Sequence, residues 1–363
     1  MEDKNLKKLP IDYLWDGLIL NDDIYNHSGE VMLLPKGEVV VKSKLEKLLQ
    51  FYGEEKSVMV HESTYLEITA DEHVRTEMSR EEIEKQTGYE MLHQNIGLLF
   101  RNSNTQLWLN KEKMESISQE IADKLTELDI VTIFGCMDVP RPLEEQLQRH
   151  SLNVAFLNGI QAKWLDMEPE EVKKFILAGL LHDIGMTVIP EKILNEPHKL
   201  TENEIEVMQM HPIYSDRLLI NQFDDEIRSA ARHHHEKLGG NGYPDGIAEE
   251  DISLYARVTA ISDIYDTEVA AICNKGSELP LDVLNILYQE ASGGLDKRLV
   301  MGFIKNIRLK YTGRHVFMSD GRRGIIRYIP FNDTGRPVVQ QGAEIRQTDD
   351  GWFCKSGLVG YGG

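Results

Sequence analysis

The chain has 363 residues, with 60 acidic and 40 basic side chains and a formal net charge of -20. A surface this acidic excludes broad binding to nucleic-acid polymers or anionic membranes, but not a small anion held at a locally positive site such as a metal centre. Its 41% hydrophobic and 28% charged residues are those of an ordinary soluble protein, long enough for two or three domains.

Residues 1–8 are charged and lack a following apolar core, so no signal peptide is expected, and no run is apolar enough to insert into a membrane. Cys136, Cys273 and Cys354 lie far apart without zinc spacing, which predicts reduced thiols and a cytoplasmic location.

Residues 1–70 are expected to form a small mixed α/β module. Leu18-Ile19-Leu20 and Val31-Met32-Leu33-Leu34 flank a turn at His27-Ser28-Gly29. Val39-Val40-Val41 suggests a third strand, Ser43 caps a short helix through Leu49, and Val58-Met59-Val60 a last strand. His27 and His61 read as single surface residues.

Residues 71–139 read as a helical connector. Ile96, Leu99, Phe100 and Leu107, then Met114, Ile117, Ile121, Leu125 and Leu128, keep helical spacing. Such a stripe is core or a subunit contact, so a homodimer is one expectation.

Pro140 and Pro142 mark a boundary. Residues 140–312 are strongly helical, with segments near 142–165, 169–184, 201–220, 224–237, 253–271 and 281–311. Pro169 before Glu170 and Glu171 fits a first helical turn, and Thr201 with Glu204 fits a capping box. Residues 313–363 change to strand-like runs at Val316–Met318, Gly324–Tyr328 and Pro337–Val339. Turn signals stand at Asp320-Gly321 and Asp350-Gly351, giving a small β appendage whose glycine-rich end, Gly357 to Gly363, reads as frayed. The fold class is therefore mainly α, a helical bundle with small flanking modules.

Seven of the 12 histidines fall between residues 150 and 235. His182-Asp183 ends the segment Phe175–Leu181, which has no polar side chain, so the pair is expected to be buried. His150 sits in the stripe Leu143, Leu147, Val154, Leu157. His234, with His235 beside it, continues the face of Ile227, Ala230 and Ala231, and Asp263 shares a face with Ala256 and Ala260. His211 precedes Pro212, where a bend is expected. Several apolar helical faces that each carry imidazole or carboxylate converge best on a cation. Mixed nitrogen and oxygen donors suit iron, manganese, zinc, cobalt or nickel. His233 reads as structural and His198 as a solvated loop residue.

The order His182-Asp183-Ile184-Gly185, Leu200–Glu204, His211-Pro212, His234-His235-Glu236 through Gly242-Tyr243-Pro244, and Asp263-Ile264-Tyr265-Asp266 resembles the HD-GYP branch of the HD phosphohydrolases, over roughly residues 142–312. The resemblance implies a helical fold, two divalent metal ions (iron or manganese first) and hydrolysis of a cyclic dinucleotide, typically cyclic di-GMP. One metal would take His150, His182, Asp183 and Asp263, and the other Asp183, His211, His234 and His235. Asp183 would bridge them, with a bridging hydroxide attacking phosphorus. Asp266 would orient a ligand, and Tyr243 and Lys275 would contact the nucleotide.

Three positions depart from the family pattern. Met186 stands where the family usually has a phosphate-contacting lysine. Ile272-Cys273-Asn274-Lys275 replaces an Arg-Pro-Tyr-Arg/Lys run, and Gln146 stands where three-metal members carry glutamate. Three readings follow from the resemblance and these departures: a cyclic di-GMP phosphodiesterase, a non-enzymatic regulator that binds metal or nucleotide and signals through protein partners, and a hydrolase of another phosphate ester.

Overall fold

In the computed structural model the described residues are 6–10, 23–26, 28–36, 38, 40, 44, 47–48, 57–61, 87–103, 109–128, 130–137, 145–194, 200–274, 281–331, 333–342, 344–349 and 354–358. The chain divides into two units, Met1–Glu77 with Ile307–Val359, and Met78–Asn306 with Gly360–Gly363.

The second unit is helical. In chain order it contains α1 (Tyr89–Ser103), α2 (Lys111–Glu127), α3 (Ile130–Met137), α4 (Gln146–Trp164), α5 (Pro169–Leu181), a 3-10 turn (Ile184–Val188) and α6 (Glu191–Leu194). There follow α7 (Glu202–Met208), α8 (His211–Leu219), α9 (Asp225–His233), α10 (Leu254–Asn274), α11 (Leu281–Gly293) and α12 (Lys297–Tyr311), whose last residues belong to the first unit. Among the described residues no helix is long and apolar enough to cross a membrane.

Helix α4 is the axis of this unit. It packs against α1, α2, α5 and α10, and from Ser151 to Ala162 every residue is buried. Two of its interior amides donate to neighbouring helices. Asn158 Nδ2 donates to Phe175 O and Thr259 Oγ1, and Gln161 Nε2 donates to Val258 O and Ser262 Oγ, so α4 is tied to α5 and α10. Helix α5 opens with Pro169 and two acidic residues, as expected, then buries Val172, Phe175, Ile176, Leu177, Leu180 and Leu181. Each such side chain contributes roughly 1.5–3 kcal/mol. Much of the connector stripe is core of this chain: Ile96, Phe100, Met114, Ile117, Ile121 and Leu125 are all buried. Leu107 lies outside the described residues.

Breaks in the expected helices have local causes. The 201–220 segment splits into α7 and α8, because Pro212 lies in the first turn of α8 and can only begin a helix there. The Thr201–Glu204 capping box is formed in full. The 281–311 segment splits at Gly294, whose φ of 122° suits glycine. Helix α5 ends at Leu181, three residues earlier than expected, and the chain turns there through the 3-10 segment.

The first unit holds two antiparallel sheets. One has the order β1-β4-β2-β3, with β1 (Leu6–Pro10), β2 (Ile24–Tyr25), β3 (Met32–Leu34) and β4 (Ser57–His61). Strand β1 went unforeseen in a charged start. Of Val39–Val41 only Val40 is described, and it is buried without strand pairing. Leu18–Leu20 and His27 lie outside the described residues. The other sheet has the order β8-β7-β6-β5-β9, with β5 (His315–Met318), β6 (Arg323–Tyr328), β7 (Val338–Gln341), β8 (Glu344–Gln347) and β9 (Cys354–Leu358). Gly357 and Leu358, expected to fray, belong to β9, where Leu358 pairs with Val316. Asp350-Gly351 and residues 359–363 lie outside the described residues.

Candidate metal centre

The end of α5 places His182 and Asp183 at the middle of the helical unit. His182 is fully buried and Asp183 is 7% exposed. The turn that follows is possible only with glycine: a Cβ on Gly185 would lie 2.1 Å from His211 O and 2.5 Å from Ser215 N. This close approach seats the first turn of α8 against the His-Asp turn, and Gly185 N donates to Ser215 Oγ at 2.8 Å.

His150 comes from α4, His211 from the start of α8, His234 and His235 from the end of α9, and Asp263 and Asp266 from α10. Two groups of donors form. His150, His182 and Asp183 are one; Asp183, His211, His234 and His235 are the other; within each, one donor atom per residue lies within 4.8 Å of all the rest. Asp183 belongs to both. Its Oδ2 is 3.4 Å from His182 Nε2 and 3.6 Å from His150 Nε2. Its Oδ1 is 3.2 Å from His211 Nε2 and 3.5 Å from His234 Nε2. Asp263 lies at the edge of both groups, with Oδ1 3.2 Å from His150 Nε2 and Oδ2 3.8 Å from His235 Nδ1.

Hydrogen bonds on the far side of each ring select its tautomer. His182 Nδ1 lies 2.7 Å from Gly179 O, His211 Nδ1 2.7 Å from Met208 O, and His234 Nδ1 3.1 Å from both Ala230 O and Ala231 O. A carbonyl only accepts, so the neutral rings carry their proton on Nδ1 and turn the Nε2 lone pair inward. There the Nε2 atoms face one another, 3.1 Å apart for His150 and His182 and 3.4 Å for His211 and His234. They also face Asp183, whose Oδ1 is buried without a hydrogen bond. Imidazole nitrogens gathered around a buried carboxylate favour positive charge between them, which a proton or a metal cation supplies. The donor set therefore fits divalent metal ions.

The electrostatics agree. Burial raises the Asp183 carboxyl, but His182 and His211 outweigh it and hold the group well below the usual carboxylate range. Burial likewise opposes ionisation of Asp263, and His150 and His235 overcome it. Burial lowers His182 to about 4. It also lowers His235, aided by His234. Burial is outweighed at His150, where hydrogen bonds to Asp263 and Asp266 raise the ring to about 10, and at His211, where Asp183 raises it. Metal uptake would displace such protons.

The centre opens into a cleft of about 1300 Å³. Met186, Ile189, Leu194, Leu200, Ile205 and Met208 supply an apolar wall, and Gln146, Glu191 and Glu268 polar positions. Glu145 is tied to Arg149, 2.7 Å from its Nε, and does not line the cleft. Tyr243 lines it too, its ring stacked on His235 with centroids 4.7 Å apart. Burial, then the Asp263 and Asp183 carboxylates, push the Tyr243 phenol up, so it is a neutral donor. Its loop is fixed by Glu236, whose Oε1 accepts from Asp245 N at 2.7 Å and Gly246 N at 3.0 Å. Gly242 lets the loop close on the helix end, since a Cβ there would lie 2.4 Å from Glu236 Cα. Glu236 and Lys237, which the sequence reading did not assign, stand beside the His234-His235 pair; that adjacency was the available signal. Lys237 lines the cleft, with Nζ 3.1 Å from Glu290 Oε2. His233 turns away to Asp245, with 3.0 Å between Nε2 and Oδ2. Lys275 and His198 lie outside the described residues.

Residues 139–299 match the family model described as an HD domain. A cyclic di-GMP phosphodiesterase of Pseudomonas aeruginosa is 34% identical over 185 residues, 50% of this chain and 44% of that protein. A cyclic di-GMP phosphodiesterase response regulator of Xanthomonas campestris pv. campestris is 36% identical over 150 residues, 40% of each chain. A 3'3'-cGAMP-specific phosphodiesterase of Vibrio cholerae is 36% identical over 165 residues, 45% of this chain and 38% of that protein. The match thus spans less than half the length of each of these relatives. Among solved structures, a HDG"Y"P protein from Bdellovibrio bacteriovorus shares the fold, with TM-score 0.50 and 14% identity over 84% of this chain and 99% of that one.

Proposed function

We propose, from the match of residues 139–299 to an HD domain, that the chain is an HD-GYP domain protein and a metal-dependent phosphodiesterase that hydrolyses a cyclic dinucleotide, cyclic di-GMP first. The observation that carries this reading is the split of one carboxylate: Asp183 turns Oδ2 to His150 and His182, and Oδ1 to His211 and His234. A bridging ligand with imidazoles on both sides suits a pair of divalent cations.

His150, His182, Asp183 and Asp263 would hold one metal ion, and Asp183, His211, His234 and His235 the other. Bound there, the pair would supply Lewis-acid polarisation of a phosphoryl oxygen and activation of water for in-line displacement. Iron and manganese suit the nitrogen and oxygen donors. The residues of the chain do the rest. Asp183 fixes the spacing of the two halves. The backbone carbonyls behind His182, His211 and His234 keep their lone pairs aimed inward. The apolar wall excludes water around the phosphodiester, and the Tyr243 ring and neutral hydroxyl receive the nucleotide at the mouth. Water cleaves a phosphorus–oxygen ester bond and yields linear dinucleotide, then mononucleotide.

The named activities of the relatives support the same class, two acting on cyclic di-GMP and one on 3'3'-cGAMP. The test is incubation of iron- or manganese-loaded protein with both cyclic dinucleotides, followed by separation of products. Linear dinucleotide is expected from at least one of them, and no product from either with both metals loaded would sink the reading. A second reading, a regulator that binds nucleotide without turnover, is favoured by one observation. Among the described residues lining the cleft, Lys237 is the one lysine or arginine, and it is engaged by Glu290. Binding without product in the same assay would select it.

A further inference from the structure

The four rings that meet through Nε2 are not held alike. His182, His211 and His234 are each set by a carbonyl three or four residues back in their own turn. His150 is the exception. Its Nδ1 lies 2.8 Å from a side chain, Asp266 Oδ2 on α10. The other oxygen of Asp266 accepts from Asn153 Nδ2 at 2.7 Å. Asn153 Oδ1 in turn accepts from the Tyr89 hydroxyl at 2.6 Å. Tyr89 is the first residue of α1. All three supporting residues are buried, Tyr89 2% exposed, Asn153 0% and Asp266 1%.

The next residue of α1 grips the same turn of α4. Glu90 takes Arg149 through two bonds, of 2.8 and 3.1 Å. Arg149 precedes His150, and Asn153 lies three residues after it. The first turn of α1 thus holds α4 on both sides of His150.

We propose that Tyr89 and Asn153 are positioning residues for His150, so that the first turn of α1 sets the metal affinity of one half of the centre and not the other. The inference rests on the two-metal reading above. Its physical basis is the difference in support. An i to i-3 or i-4 bond to a carbonyl persists as long as the helix end does. The His150 ring depends on three successive side-chain bonds in a dry interior, where such a chain strengthens as a unit and loosens as one. Without the Tyr89 hydroxyl, Asn153 Oδ1 loses this buried donor, the amide is free to turn, and Asp266 is held less firmly behind His150. Loss of a residue that orients a metal-bound histidine typically costs about 10–100-fold in metal affinity.

The test is calorimetric titration of manganese(II) into chelated, full-length protein, with electron paramagnetic resonance of the loaded samples, for the wild type, Tyr89→Phe and Asn153→Ala. Tyr255→Phe is the control. It likewise removes a tyrosine hydroxyl, here one bonded to the Glu171 carboxylate at a place away from the centre. In both relay variants one binding step weakens about tenfold or more, while the other stays within about twofold. At limiting metal the spin-coupled pair signal gives way to that of isolated manganese. The control titrates as the wild type does. Relay variants that bind like the wild type overturn the proposal, and so does equal weakening of both steps, the mark of general loosening. If Asn153→Ala does not fold, Tyr89→Phe, which removes one oxygen, decides. A folded wild type that takes up no pair overturns the two-metal reading, and the relay with it.

Discussion

Asp183 Oδ1 stands 3.2 Å from His211 Nε2, yet no hydrogen bond joins them. The proton of the neutral ring is on the other nitrogen, 2.7 Å from Met208 O. The backbone of α8 thus aims His211 Nε2 at the carboxylate, and the pair favours positive charge between them: Asp183 raises the ring, and the ring holds the carboxyl low.

The first prediction concerns Asp183→Asn. The amide keeps the shape, removes the bridging charge and can donate to an imidazole lone pair. Metal affinity is expected to fall by more than about a hundredfold at both positions, beyond the usual loss for a residue that merely orients a ligand. The chelated variant is expected to be less stable than chelated wild type, since the imidazoles that hold the Asp183 carboxyl ionised lose their counter-charge. Metal analysis and urea denaturation check both parts. A variant that retains both ions would show that Asp183 is not the bridge.

Chelation is the second. Metal that binds only the folded state stabilises it by about 2.7 kcal/mol per site at a hundred times its Kd. Stripped protein is expected to melt at a lower temperature than loaded protein, and readdition of manganese(II) to restore the melt. The change should be absent in Asp183→Asn. Identical melts before and after chelation of protein shown to contain metal would contradict it.

How much of this was legible in the sequence depended on whether the signal was local. The helix starts at Pro169 and Thr201 were readable because caps act within a few residues. The seven proposed ligands stood out because imidazoles and carboxylates on apolar faces are costly unless they converge. The break between α7 and α8 was visible at Pro212. Strand β1 was hidden because its pairing with β4 spans more than forty residues, from Leu6↔His61 to Pro10↔Ser57. Asn153 was equally opaque: nothing within its own turn distinguishes it from a surface asparagine, and its role comes from Tyr89, 64 residues earlier, and Asp266, 113 residues later.

The third prediction is Gly185→Ala. A methyl group 2.1 Å from His211 O and 2.5 Å from Ser215 N meets backbone, which cannot swing aside as a flexible side chain does. The start of α8 must shift, carrying His211 with it. Destabilisation of about 1–3 kcal/mol is expected, as for overpacking elsewhere. The position served by His211, His234 and His235 should lose more affinity than the one served by His150 and His182. Denaturant melts measure the first effect and metal titration the second. Wild-type stability in the variant would mean that the turn is not packed as tightly as the contact implies.

The last prediction concerns Met186, which lines the cleft beside Thr187 in the turn after Asp183. Its thioether gives a bound phosphate no charge and no donor, and the surrounding wall of Ile189, Leu194 and Met208 gives none either. Met186→Lys is a change on that wall toward a flexible cation of similar length. A charge-assisted hydrogen bond to phosphate contributes roughly 1.5–3 kcal/mol, which corresponds to about a tenfold to hundredfold change. If the nucleotide's scissile phosphate sits at the proposed centre, the variant should gain that factor in kcat/KM for its cyclic dinucleotide. The division between terms is informative: a lower KM alone means contact equal in ground and transition states, and a higher kcat means contact that strengthens as charge develops on the phosphoryl oxygens. Met186→Gln, uncharged and of similar length, should gain much less. Metal content should be unchanged in both variants, since residue 186 is not among the donor groups. A Met186→Lys protein that holds its metals and shows no gain in either term would place the scissile phosphate away from this turn.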